Sequence, residues 1–138
     1  VKLRDVGMKV HEVPADGHCM YRAIAHQLDD GSDFATLRKR CADHMVANSD
    51  DYLSFVALDA EDPLAAYADH CRKVRETSEW GGQPELLALT RVLDRPIWVH
   101  SRDAPLLKMG DAQAPPLVVA YHRHYYALGE HYNSTEPL

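Results

Sequence analysis

The chain has 138 residues, 46% of them hydrophobic and 26% charged, and a net charge of -6 at neutral pH. That length suits a single domain over residues 1–138 whose one core buries about two-thirds of its unfolded surface without disulfide staples. The acidic balance disfavours a nucleic-acid binder, which needs a basic face, and no run of about 20 apolar residues exists to span a membrane.

Met8-Lys9-Val10-His11-Glu12-Val13 alternates enough to predict a short strand, which feeds an Asp16-Gly17 turn. A helix then starts at Cys19, with Tyr21, Ile24, Ala25 and Leu28 at the spacing of one buried face. Residues 33–47 read as a second helix carrying Phe34, Leu37, Cys41 and Met45 on a stripe, with Ser32 or Asp33 in the capping position. Asp50 to Leu58 is a third, with Tyr52, Phe55 and Val56 facing inward. Pro63, at a first helical position, opens a fourth through Leu64, Tyr67, Ala68, Cys71 and Val74. Gln83 to Leu93 is a fifth.

Pro96 to His100 reads as a strand, and a loop through Pro105, Gly110, Pro115 and Pro116 leads to an apolar strand, Leu117 to Tyr121. Residues 121–129 read as a strand end, a tight turn and the start of a last strand with His131. The fold class is α/β, with helices around a small, largely antiparallel sheet. Neither repeats nor low-complexity linkers break the chain. The start at Val1-Lys2-Leu3, without a methionine, suggests a domain excised from a longer protein.

Two segments at opposite ends of the chain carry chemistry. Cys19 falls at a helix start, where free N–H groups and the positive dipole end favour a thiolate over the ordinary thiol of pKa about 8.5. His131 and Asn133 are two apart, so on a strand their side chains share a face. A thiol nucleophile needs an imidazole to take its proton and a polar group to orient that imidazole. The order Cys, His, Asn, with the cysteine near the N-terminus, is the papain-like order.

Asp16-Gly17-His18-Cys19-Met20-Tyr21-Arg22-Ala23, Trp80-Gly81-Gly82-Gln83-Pro84-Glu85-Leu86 and Gly129-Glu130-His131-Tyr132-Asn133-Ser134 resemble, in order, the three signature blocks of ovarian-tumour (OTU) family deubiquitinases. The wording is nearest to the eukaryotic subfamily whose catalytic domain follows an N-terminal coiled coil, and the resemblance spans roughly residues 7 to 135. It implies a papain-like OTU fold and hydrolysis of the isopeptide bond between ubiquitin's terminal glycine and a lysine. Cys19 would attack, and His131 would act as general base and then acid. Asn133 would orient His131, and Asp16 would fix the loop whose backbone N–H groups, with that of Cys19, receive the oxyanion. No cofactor or metal is required.

The resemblance also places the Trp80 loop beside the active site. Two glycines there suit the approach of a substrate that itself ends in Gly-Gly, so Gly81 and Gly82, with Trp80, Gly17 and His18, are the expected substrate-lining residues. The partner is ubiquitin or polyubiquitin, whose tail arginines an acidic groove would attract; a ubiquitin-like modifier is the alternative. A monomer is expected. Three cysteines without close pairing indicate a reducing compartment, the cytoplasm with the nucleus as alternative.

Each of these residues has a plainer reading. Cys41 and Cys71 lie mid-helix on apolar stripes, as buried thiols do. His122 and His124 also alternate on a strand and rival His131, though without so well placed a polar partner. His18 reads as a turn residue with its ring in solvent, Asp16 as a helix-entry residue bonding to backbone two residues on, and Asn133 as a strand-end residue. Trp80-Gly81-Gly82 alone could be a helix–helix loop with an aromatic plug. Two other classes compete: a ubiquitin-binding module or weakly active pseudoenzyme, and a zinc module on Cys41/His44 and His70/Cys71. The zinc reading is weakened because adjacent helical side chains diverge by about 100°.

Overall fold

The computed structural model describes residues 3–123 and 130–138. After a short 3-10 turn at Leu3–Val6 come β1 (Met8–His11), α1 (Cys19–His26), α2 (Phe34–Ala47), α3 (Ser49–Val56), α4 (Pro63–Glu76) and α5 (Gln83–Leu93). Strands β2 (Ile97–Ser101), β3 (Ala104–Met109), β4 (Leu117–His122) and β5 (His131–Pro137) follow. The sheet order is β1-β5-β4-β2-β3, and every pairing is antiparallel except β2 with β4.

Local chemistry starts these helices. Asp33 Oδ1 accepts from the Thr36 N–H and caps α2, and Asp62 does the same for Ala65 ahead of Pro63 in α4. Helix α1 is unusual in that Cys19, Met20, Tyr21, Ala23 and Ile24 are all buried. One side of it packs on β4 and β5, and another meets α2. The first helical cysteine is thereby set against the last strand, which holds the two ends of the chain together.

Several expectations change. Strand β1 ends at His11, so the backbone N–H of Val13 is free of the ladder and donates to a side chain instead. Residues 104–109, read as loop because of Pro105, form β3 at the sheet edge, where a proline costs no ladder bond. Phe55 and Leu64 point outward, 70% and 69% exposed, because α3 and α4 bury Tyr52, Tyr67, Cys71 and Val74 and leave the opposite stripe bare. Ala68 is exposed as well. The expected turn over residues 121–129 falls largely on 124–129, outside the described residues.

Histidine burial gives the fold a pH dependence. Burial holds His18, His26, His44 and His122 below the usual imidazole range, whereas a hydrogen bond to Glu85 holds His70 above it. A depressed histidine protonates more readily in the unfolded chain, so its contribution is present above about pH 6.5 and is lost as pH falls through the folded value. His70 acts oppositely: its contribution is full below about pH 6.5 and fades as pH rises through its raised value. With four against one among the described residues, the thermal unfolding midpoint is expected to fall from pH 7 to pH 5. His70→Asn should steepen that acid loss by removing an opposing group; a flat profile would contradict the assignment.

Candidate active site

Cys19 is the first residue of α1, only 1% exposed, and the backbone N–H of Tyr132 points at its Sγ from 3.4 Å. Tyr132 follows His131, the first residue of β5, so strand and helix bring the predicted nucleophile and base to one place. His131 and Asn133 are fully buried, and His131 Nε2 lies 2.7 Å from Asn133 Oδ1.

The hydrogen bonds around Asn133 fix the protons. The backbone N–H of Val13, which can only donate, reaches Asn133 Oδ1 at 3.0 Å, so that atom is the oxygen. His131 Nε2 must therefore carry a hydrogen and donate to it. In the neutral ring Nδ1 then holds the lone pair, and a base at Nδ1 is what a thiol proton needs. On its other side the Asn133 amide donates from Nδ2 to His122 Nε2 at 3.2 Å. His122 is the cross-strand partner of His131, and burial, with the nearby His131 and His100, keeps it neutral and able to accept. His122, read from sequence as a rival base, thus anchors the orienting asparagine. The other rival, His124, lies outside the described residues.

Asp16 organises the turn before Cys19. Its Oδ1 accepts from the His18 N–H at 2.9 Å, its Oδ2 from Arg22 at 3.2 Å, and its carbonyl from the Cys19 N–H at 3.2 Å. Two of the backbone donors expected to receive an oxyanion are therefore engaged inside the loop. They reach a substrate carbonyl only by exchanging these bonds, of which the one at 3.2 Å is the weaker.

Arg38, buried on α2, holds this loop from behind. Its Nε donates to His18 Nδ1 at 2.8 Å, Nη2 to the carbonyls of Gly17 and Glu79 at 2.8 and 2.6 Å, and Nη1 to that of Val74 at 2.9 Å. His18 accordingly does not turn its ring to solvent: it packs on Phe34, 4.1 Å between centroids, and burial followed by the Arg38 charge depresses its pKa. Sequence reasoning missed Arg38 and Val13. A lone arginine inside a helical stripe was the available signal for the first; a backbone N–H leaves none.

Close backbone approach occurs at Gly17, where any Cβ would overlap the Ser78 carbonyl. A Cβ on Gly81 would meet the end of the Met20 side chain and, at 3.3 Å, the Tyr21 ring, whereas one on Gly82 would meet nothing nearer than 3.8 Å. Gly81 and Gly82 line a groove of about 380 Å³ with Tyr132, Glu130, Tyr121 and Leu107. Trp80 lies outside that lining and is 42% exposed.

The thiol departs from its sequence expectation. Burial pushes Cys19 above the ordinary thiol range and outweighs the backbone N–H groups of Tyr132 and Met20 that pull it down. Desolvation at 1% exposure wins over the helix start, whose influence is worth at most about 2 kcal/mol. Cys41 and Cys71 are raised by burial too, as expected for packing thiols. Cys41 Sγ faces the Glu85 carbonyl, His44 Nε2 meets Tyr52, and His70 meets Glu85. The rival zinc pairing thus finds these side chains with other partners and converging on no third ligand among the described residues.

The chain is similar to known proteins. A model of the family described as OTU-like cysteine protease matches residues 14–132. The deubiquitinase OTUD6B of Mus musculus is 38% identical over 138 residues, 95% of this chain and 47% of that protein. Ubiquitin thioesterase otu2 of Schizosaccharomyces pombe is 30% identical over 139 residues, 96% of this chain and 46% of that one. The chain thus spans about half the length of these relatives. Among solved structures, an OTU domain in complex with ubiquitin aligns with a TM-score of 0.74 at 22% identity, covering 93% of this chain and 69% of that one. The OTU domain of OTUD1 aligns at 0.72 and 20%, covering 97% and 89%. At these identities the likeness is one of fold.

Two outcomes follow from this geometry. Gly17→Ala forces the loop off Ser78 at a cost of about 1–3 kcal/mol, a fall of several degrees in unfolding midpoint, whereas Gly82→Ala costs far less. Alkylation of Cys19 by iodoacetamide, followed by peptide mass mapping, should still accelerate above pH 8.5 in the free domain. A plateau near pH 7 would show a thiolate already formed.

Proposed function

This chain belongs to the OTU-like cysteine protease family, and from that premise we propose that it is a deubiquitinase that cleaves the isopeptide bond between ubiquitin's C-terminal glycine and a lysine. The observation that carries the reading is the fixed proton arrangement at β5: Asn133 Oδ1, pinned by Val13, holds His131 with Nε2–H toward itself and a basic Nδ1. The names of the relatives, deubiquitinase and ubiquitin thioesterase, support ubiquitin as the modifier. The groove along Gly81 and Gly82 suits an extended Gly-Gly tail, and Glu130 on its wall suits the tail's arginines. A ubiquitin-like modifier is the alternative substrate.

The steps balance with side chains alone. His131 takes the Cys19 proton as Sγ attacks the glycine carbonyl, and the oxyanion draws the Cys19 N–H and loop donors away from Asp16. His131 then gives the proton to the departing lysine amine, leaving a thioester. Water, deprotonated by His131, hydrolyses it. Each oxyanion donor is worth about 3 kcal/mol in the transition state, enough to displace the loop's 3.2 Å bond. Because burial raises the Cys19 thiol above its ordinary range, proton transfer to His131 accompanies the attack. Three unpaired thiols support a reducing compartment, and we assign the protein to the cytoplasm or nucleus. The coiled coil of the similar subfamily belongs to the same proposal.

Single-turnover rates on a ubiquitin–lysine isopeptide substrate test the roles. Cys19→Ala and His131→Ala abolish cleavage, and a ubiquitin bearing a C-terminal electrophile labels Cys19 alone. Asn133→Ala lowers the rate partially, about 10- to 100-fold, and Asn133→Asp retains most of it because a carboxylate also accepts from Val13 and His131. Labelling at Cys41 or Cys71, or an Asn133→Ala enzyme as fast as wild type, would overturn the assignment. Binding of ubiquitin with no cleavage would favour the non-catalytic reading.

A further inference from the structure

A second cluster sits at the far end of the same two elements. His11 closes β1, His26 closes α1, and Glu136 lies near the end of β5. His11 is the cross-strand partner of Ser134, and Ser134 and Glu136 alternate onto one side of β5. The end of α1 lays His26 over that side. One ligand atom from each of the three residues lies within 4.8 Å of the other two.

We propose that His11, His26 and Glu136 form a binding site for a zinc-class divalent cation, separate from the candidate active site. Two imidazoles and one carboxylate are the donor set of zinc and its late first-row neighbours. Magnesium and calcium instead take oxygen donors. Zinc bonds of about 2.0–2.2 Å place tetrahedral donors about 3.4 Å apart, so the site closes by side-chain rotation without movement of the backbone. The backbones are already set by the β1–β5 ladder and by α1 packing on β5.

The surroundings suit an ion. His26 Nδ1 lies 2.7 Å from Ser134 Oγ, which also receives Gln27 Nε2 at 3.1 Å. Outer contacts of this sort orient ligating histidines and fix their tautomer. His26 is exposed and the other two are half-buried, so an ion has a path in. The His11 and His26 rings stack at 3.7 Å with 10° between planes. Because an ion binds in the plane of each ring, the stack must splay as it enters. Glu136 is shared with Lys9 at 3.9 Å, an exposed pair worth little and easily displaced.

The position gives the ion a purpose. Helix α1 begins with Cys19 and ends with His26, about 10 Å further along, and β5 begins with His131 and carries Glu136 near its other end. An ion between His26 and Glu136 would clip together the two elements that carry the candidate nucleophile and base.

The test is zinc chloride titrated calorimetrically into the Cys19→Ala domain, where the active-site thiol cannot compete, alongside thermal unfolding. Expected are one-to-one binding, a midpoint raised by zinc and unmoved by magnesium or calcium, and affinity weakened at least about tenfold in His26→Ala and in Glu136→Gln. The Glu136→Gln variant, at a half-exposed strand position, keeps the test valid should His26→Ala fold poorly. Absence of zinc-dependent heat and midpoint shift, an equal response to magnesium, or wild-type affinity in Glu136→Gln overturns the proposal.

Discussion

The guanidinium of Arg38, only 2% exposed, reaches two loops and the last turn of α4 at once. Charge-assisted bonds of this kind contribute about 1.5–3 kcal/mol each, and four of them, with the Tyr21 ring 4.3 Å away, offset a desolvation cost of several kcal/mol. The carbonyls of Gly17 and Glu79 meet on one nitrogen, so the turn before Cys19 and the loop before Gly81-Gly82 keep a fixed separation. Gly17 is the steric counterpart of that electrostatic tie. With no Cβ, it lets the Ser78 backbone come against the turn. Remove either constraint and helix α1 would start from a different point.

The second half of the site depends on sheet register. Because β5 lies between β1 and β4, Asn133 is reached from one side by Val13, just beyond the end of β1, and from the other by His122 of β4. The Val13 contact has one possible polarity, and it sets the other. A backbone N–H only donates, and a neutral His122 ring can accept at Nε2. The asparagine amide cannot flip without losing the Val13 bond, so the His131 tautomer is settled by the sheet. A one-residue slip of β5 would turn His131 and Asn133 to the other side and dissolve the site.

Burial sets the terms for reactivity. Cys19, His131 and Asn133 are each at most 1% exposed, and water is excluded from the proton path before substrate arrives. The same exclusion raises the thiol pKa. A helix start near a solvated thiol would favour the anion; packed under Tyr132 and beside Met20, desolvation is the larger effect. The candidate site gains dryness and gives up a standing thiolate, and the proposed mechanism therefore draws its nucleophile from proton transfer to His131.

Much of this was legible along the chain because it is local. The 3.6-residue stripe of α1, the aspartate caps of α2 and α4, Pro63 at a helix start, and the same-face spacing of His131 and Asn133 all follow from neighbours within a few residues. The two ends of the catalytic set could be joined from residue types and order alone. Tertiary structure decided what depends on residues far apart. Val13 and Asn133 are 120 positions apart, and Arg38 and Glu79 are 41. Strand β3 forms because β2 offers it an edge. Phe55 faces out because the helix layer buries the other side of α3. His122 accepts from Asn133, and is no rival to His131, because β4 sets it across from that histidine. The sign of the Cys19 pKa belongs to the same class: helix position is written in the sequence, whereas desolvation is a property of everything packed around it.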